Sequence, residues 1–189
     1  MRVIAGQYRS RPLRSLPGAD IRPTTDRLRE TLFNVLTAGN PDALAGSVWA
    51  DLYAGTGAVG IEALSRSAGD VYFVESSGPA VSLIRKNLDS LKITRGFELL
   101  QSDVQHALQS LHARGIRLDY AFLDPPYRLE EEYSRTLQRL GDSNLLKKTG
   151  VVIAEHSKKV ELANAAGSLK RYRKLVQGDA ALSFYSAKN

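Results

Sequence analysis

Cysteine is absent from these 189 residues, and methionine and tryptophan occur once each. The missing cysteine removes disulfides, thiolate nucleophiles and cysteine-rich zinc sites together, and it fits a cytoplasmic setting. Long apolar runs are missing as well. The longest stretch without a charged residue, Thr31 to Pro41, falls well short of the ~18 residues a membrane span needs. The opening Met-Arg-Val-Ile-Ala-Gly has no apolar signal-peptide core, so neither export nor a membrane partner is expected. Internal repeats and low-complexity segments are also lacking. What remains is ordinary globular composition, 43% hydrophobic and 24% charged, enough for one sizeable core.

The charge balance leans one way. Lysine and arginine number 26 against 20 acids, a net charge of +6, which favours polyanionic partners over neutral ones. The excess is concentrated early: Arg2, Arg9, Arg11 and Arg14 occur with no acid between them and with Tyr8 in their midst. A guanidinium pairs with phosphate through a planar fork and stacks on bases, so this arm is a candidate nucleic-acid contact. Its Arg, Ser, Pro and Gly content predicts an irregular or short-stranded segment. A helix should follow, capped by Thr24 or Thr25, with Leu28, Leu32, Phe33, Val35 and Leu36 on one face. We expect residues 1–40 to form a basic arm and helix packed on a main domain of residues 41–189.

From Ser47 onward short apolar runs alternate with helical segments. Candidate strands are Val48–Tyr53, Val71–Glu75, Phe97–Leu100, Tyr120–Asp124, Val151–Glu155, Arg171–Val176 and Ala181–Tyr185. Candidate helices are Ala58–Ser67, Pro79–Leu91, Val104–Ala113, Glu130–Leu140 and a weaker Lys159–Gly167. Such alternation implies crossover units and a mostly parallel sheet of the α/β class, covered by helices on both faces. Only a tight turn separates the last two strands, so the final strand should run antiparallel.

Chemistry collects at the strand ends. In Asp51-Leu-Tyr-Ala-Gly-Thr-Gly-Ala-Val-Gly60, glycines allow a tight turn between a strand and a helix. The spacing superficially matches a dinucleotide fingerprint. The acid before the loop, however, suits a cofactor with a positive group, such as the ammonium of S-adenosylmethionine. Asp51, Tyr53, Gly55, Thr56 and Gly57 are therefore candidate cofactor residues. Glu75, about twenty residues on, is placed to accept from ribose hydroxyls. Asp103 and the backbone of Val104 could meet an adenine edge, although Asp103 reads equally as a helix cap. The sharpest feature is Asp124-Pro125-Pro126-Tyr127. Paired prolines end a central strand rigidly, just where a cleft should lie. A carboxylate and the Pro125 carbonyl can each accept one N–H of a planar amino group, aiming its delocalised lone pair at a methyl donor. Tyr127 offers a stacking face for an extruded base. His106, His112 and His156 fall in no metal-ligand spacing, so no metal is expected. Trp49 reads as packing. Lys147-Lys148, Lys158-Lys159 and Lys170-Arg171 are solvated by default, or RNA-facing if they share the rim of Tyr127.

Together with Arg2–Leu13, Arg22–Asn34 and Gly60–Arg66, these motifs resemble the bacterial 16S ribosomal-RNA guanine-N2 methyltransferase family called RsmD, over nearly the whole chain. The resemblance implies a Rossmann-like class I methyltransferase with a seven-stranded sheet and S-adenosylmethionine as methyl donor. It further implies the N2 amino group of a guanine of the guanine-966 type as target, in small ribosomal subunits already carrying protein. Carried over residue by residue, Asp51, Gly55 and Gly57 surround the methionyl part. Glu75 takes the ribose, Asp103 the adenine edge, and Asp124 to Tyr127 the target base. Arg9, Arg11, Arg14 and Arg22 are candidate RNA contacts. Tyr53 stands where the family more often has Phe. An adenine-N6 DNA methyltransferase shares the Asp-Pro-Pro-Tyr chemistry but normally needs a recognition domain for which there is no room, so DNA is not expected. A glutamine-amide methyltransferase typically has Asn in place of Asp124. A non-catalytic RNA-binding assembly protein has no physical need for the carboxylate or the glycine loop. No dimer seam is evident, so a cytoplasmic monomer is expected.

Overall fold

A computed structural model describes residues 1–15, 25–126 and 130–187. Thr25 opens α1 (Asp26–Leu36), its hydroxyl accepting from the Leu28 amide at 3.2 Å. There follow β1 (Val48–Leu52), α2 (Ala58–Ser65), β2 (Asp70–Glu75), α3 (Gly78–Ser90), β3 (Phe97–Gln101), α4 (Val104–Ala113), β4 (Leu118–Leu123) and α5 (Glu130–Asp142). The chain finishes with β5 (Leu146–Ser157), β6 (Ala165–Ala166), β7 (Leu169–Gln177) and β8 (Ala180–Ala187). One sheet holds all eight strands in the order β3-β2-β1-β4-β5-β8-β7-β6. The first five in that order are parallel. The last strand, β8, lies antiparallel to both β5 and β7, as its tight turn predicts.

Side chains alternate across the sheet with period two and divide the core into two layers. Trp49, Phe73, Phe122, Ile153 and Phe184 pack with α1, α2 and α3 on one face. Leu52, Val74, Leu123, Ala154 and Tyr185 pack with α4 and α5 on the other. Trp49 is packing, stacked between Phe33 and Tyr120 at 5.4 and 4.7 Å. Val3, Leu13, Leu28, Leu32 and Phe33 from the leading segment enter the same core as the sheet.

Two expectations need correction. The sheet has eight strands rather than seven, because the two-residue β6 pairs with the start of β7. That strand arises where Lys159–Gly167 was expected to be helical. The reason is tertiary: Arg171 donates to the Leu162 carbonyl and, through its amide, to the Asn164 carbonyl. The Tyr185 hydroxyl takes the Ala163 carbonyl at 2.9 Å. Three successive carbonyls are thus satisfied by distant residues, which removes the need for a helical ladder.

Strand order locates the cleft. Connections leave β1 first toward β2 and β3, then cross back to β4 on its other side. That reversal opens a crevice above the carboxyl ends of β1 and β4, where ligands bind in open sheets of this kind.

Candidate active site

The glycine loop leaves β1 into that crevice. Tyr53, Gly55 and Gly57 all have positive φ, 62°, 55° and 75°, and Gly57 in the left-handed conformation is the N-cap of α2. Such φ values cost glycine nothing. Tyr53 tolerates its own because its hydroxyl is anchored, donating to Glu132 Oε2 at 2.9 Å and lying 3.1 Å from Thr136 Oγ1. A phenylalanine there would lack this tie between the loop and α5. Burial also holds the Tyr53 phenol above its ordinary pKa range.

Glu75 ends β2 beside the loop. One carboxylate oxygen accepts from the Gly55 amide at 2.9 Å, the other from the Ser77 amide at 2.8 Å. Each oxygen keeps a further lone pair, enough to accept one ribose hydroxyl apiece. Asp51 is buried, and its Oδ2 accepts from the Gly60 amide at 2.8 Å. Burial pushes its carboxyl up to about 7, the Gly60 bond opposes that, and the negative Glu75 adds to it. A buried carboxyl beside another acid is a place that welcomes a cation. Asp103 is the N-cap of α4, accepting from the His106 amide at 3.0 Å and meeting His106 Nδ1 at 2.5 Å. Those bonds hold it below its usual carboxylate range. It remains exposed, with buried Val104 opening the helix behind it.

Across the crevice, β4 ends at Leu123 and runs into Asp124, buried Pro125 and exposed Pro126. Loss of hydration raises the Asp124 carboxyl well above its ordinary value, reinforced by Glu155 and then Asp51. Register explains this company: Asp51 pairs with Phe122, and Phe122 with Ile153. Asp124 and Glu155 each lie two residues further along the same sheet face. The donor and acceptor set suits S-adenosylmethionine: an acid for an ammonium, an acid for a ribose, and a left-handed glycine turn between them. Tyr127 and Arg22 lie outside the described residues. Among the described residues no three His, Asp or Glu side chains are grouped to hold a metal.

The profile of the family described as conserved hypothetical protein 95 matches residues 1–186. The chain belongs to this family. It is 34% identical over 185 residues to YlbH of Bacillus subtilis, covering 98% of each chain. It is also 34% identical over 188 residues to ribosomal RNA small subunit methyltransferase D of Escherichia coli, covering 98% of this chain and 89% of that one. Among solved structures, the Escherichia coli methyltransferase yhhF superposes with a TM-score of 0.83 at 30% identity, covering 100% and 99% of the two chains. The resemblance to the RsmD family and the Rossmann-like methyltransferase fold are both borne out.

Within this family member the basic arm is a small hairpin. Val3 donates to the Arg11 carbonyl and Ser10 to the Val3 carbonyl, at 3.0 and 2.9 Å. Arg9, Arg11 and Arg14 are exposed on it. Three residues that sequence reasoning missed clamp it down. Glu62, fully buried in α2, accepts from the Ile4 and Ala5 amides at 2.7 and 3.0 Å and pairs with Arg66 at 2.8 Å. Ser65 accepts from the Tyr8 amide at 3.0 Å. Asn87, fully buried in α3, accepts from the Arg14 amide at 2.9 Å. An acid inside the otherwise apolar Ala58–Ser65 was the one available signal. Nothing local marked Glu155 or Asn87. His156 is a buried structural side chain, its Nε2 lying 2.9 Å from the Ser183 hydroxyl. Lys158 and Lys159 follow β5 on the rim of Asp124, whereas Lys147 and Lys148 begin that strand at the opposite end.

Proposed function

We propose that this chain transfers a methyl group from S-adenosylmethionine to the N2 amino group of a guanine in 16S ribosomal RNA, the guanine-966 type site, within the small ribosomal subunit. The observation that carries this reading is the placement of Asp124-Pro125-Pro126 at the carboxyl end of β4, facing the Asp51–Gly57 loop of β1 across the topological reversal. Similarity to the ribosomal RNA small subunit methyltransferase D of Escherichia coli supports the RNA and the subunit.

Bound S-adenosylmethionine supplies an electrophilic methyl on a cationic sulfur. Asp51 faces its ammonium, Glu75 its ribose, Asp103 and the Val104 amide its adenine edge, with Tyr53, Gly55, Thr56 and Gly57 forming the loop around its methionyl part. The target amine is a poor nucleophile because its lone pair is delocalised into the ring. The Asp124 carboxylate and Pro125 carbonyl accept its two N–H bonds, which turns the lone pair toward the methyl; Pro126 holds that geometry rigid and Tyr127 stacks on the base. Positioning and preorganised acceptors supply most of the rate gain. A carboxyl held above its ordinary range is a stronger proton acceptor once ionised, so Asp124 can take the proton the amine sheds. Arg9, Arg11, Arg14 and Arg22 contact RNA phosphates.

Small subunits from a strain lacking the enzyme, incubated with the protein and methyl-labelled S-adenosylmethionine, should yield labelled N2-methylguanosine by mass spectrometry. Asp124→Ala should lower turnover by about a hundredfold to a thousandfold, the scale for removing one preorganised group. Cofactor affinity by calorimetry should stay within about threefold, because Asp124 contacts the target rather than the donor. Label in another nucleoside, or turnover surviving in Asp124→Ala, would overturn the reading.

A further inference from the structure

Asn87 belongs to neither the cofactor loop nor the arm, yet it bonds to both. It is fully buried in α3. Its Nδ2 donates to the Thr56 carbonyl in the glycine loop at 3.0 Å and to the Arg14 carbonyl at 3.2 Å. Its Oδ1 accepts from the Arg14 amide at 2.9 Å. Both hydrogens of the amide and one lone pair are thereby committed, so the side chain has one orientation only. A second contact runs in parallel: the Thr56 hydroxyl lies 3.9 Å from the Met1 sulfur, and the Met1 carbonyl accepts from the Leu13 amide at 3.1 Å. Met1 on the first side of the arm hairpin therefore touches Thr56 directly, and Arg14 on the second side reaches it through Asn87; Thr56 sits between Gly55 and Gly57.

We propose that Asn87 is a positioning residue that joins the cofactor loop to the RNA-contacting arm, so that a ligand in the loop further steadies the arm and RNA on the arm further steadies the loop. This rests on the arm being an RNA contact. The physical basis is that the Thr56 carbonyl and both backbone groups of Arg14 are held by one amide fixed on a helix, so a displacement of either partner is felt at that amide. A ligand that steadies the loop steadies the Thr56 carbonyl, and with it the amide that holds Arg14. Reciprocity follows, because coupling between two binding events is one free energy seen from both ends. A merely structural asparagine would stabilise the fold and leave the two binding events independent.

The test reads the coupling directly. Hydrogen exchange of the full chain, measured with and without S-adenosylhomocysteine, should show slower exchange across residues 1–15 in the ligand-bound protein. In Asn87→Leu, a near-isosteric change, the loop peptide should still gain protection while the arm no longer responds. No response of the wild-type arm, or an undiminished response in Asn87→Leu, would overturn the proposal. Should Asn87→Leu fail to fold, Asn87→Ser, too short to span Thr56 and Arg14 together, is measured in its place and should show the same loss of the arm's response. In parallel, anisotropy of a labelled 16S ribosomal RNA transcript should give a Kd about fivefold lower with S-adenosylhomocysteine present, within the usual range of allosteric factors. That ratio should fall to about one in Asn87→Leu. An arm that responds to the ligand, with an RNA Kd that ignores both the ligand and Arg9→Ala, overturns the RNA half and keeps the mechanical link.

Discussion

Asp51 shows how the burial of one carboxyl ties stability to pH. Its pKa in the folded protein is pushed up to about 7 from an ordinary value of 3.8, chiefly by burial. Between those values the folded chain holds a proton that the unfolded chain has released, so stability falls as pH rises through that window. Above about 7 the cost is present in full. Asp51→Asn keeps an oxygen for the Gly60 amide and carries no charge. The ligand-free variant should therefore unfold at a higher temperature than wild type near pH 8, by a stability gain on the order of 1–3 kcal/mol. Near pH 4 the two should differ little. Calorimetric melts at both values check this, and the same variant should bind S-adenosylmethionine more weakly. At this scale Asp51, Glu75 and Asp124 were marked as candidates by the sequence because each follows an apolar run. Glu155 was not, since its importance depends on the strand beside it.

Between elements, the α2–β2 contact turns on Gly60. Glycine inside a helix is ordinarily worse than alanine by about 0.5–1 kcal/mol. Here an added Cβ would come within 2.3 Å of Phe73 Cε1 and 2.9 Å of Val71 Cγ1. Phe73 is fully buried and has nowhere to retreat. Overpacking of that kind costs ~1–3 kcal/mol, more than the helix gains. Gly60→Ala should accordingly lower the urea midpoint with an unchanged m-value in equilibrium unfolding. In the sequence Gly60 was only the third glycine of a spacing that superficially matches a dinucleotide fingerprint, and the structure gives it close helix packing. The failure at Lys159–Gly167 has the same origin. Arg171 and Tyr185, distant in sequence, take the carbonyls that a helix would have used.

Across the whole molecule, the net charge of +6 matters through where it lies. Arg9 and Arg11 are exposed on a hairpin fastened to α2 by Glu62 and Ser65, so they are presented by a held surface rather than a free tail. Replacing both with alanine should make the plot of log binding constant against log salt shallower by about 1.4, some 0.7 for each phosphate no longer neutralised on single-stranded RNA. Titrations of the RNA at several salt concentrations measure that slope, and an unchanged one would return both arginines to the role of solvated surface.

By itself the sequence determined most of the elements and the candidate site residues: strand-helix alternation, a glycine loop preceded by an acid, an Asp-Pro-Pro exit, and an acid-free arm. These are local patterns, set by steric rules and by hydrophobic spacing over a few positions. Only the tertiary structure decided which of them meet. The return from β3 to β4 across β1 sets the Asp51 loop opposite Asp124, and the direction of β5 leaves Lys158 on that rim and Lys147 far from it. The Arg14–Asn87 bond joins residues 73 positions apart. Contacts of that range come from the packing of whole layers against one another, which no short stretch of sequence contains.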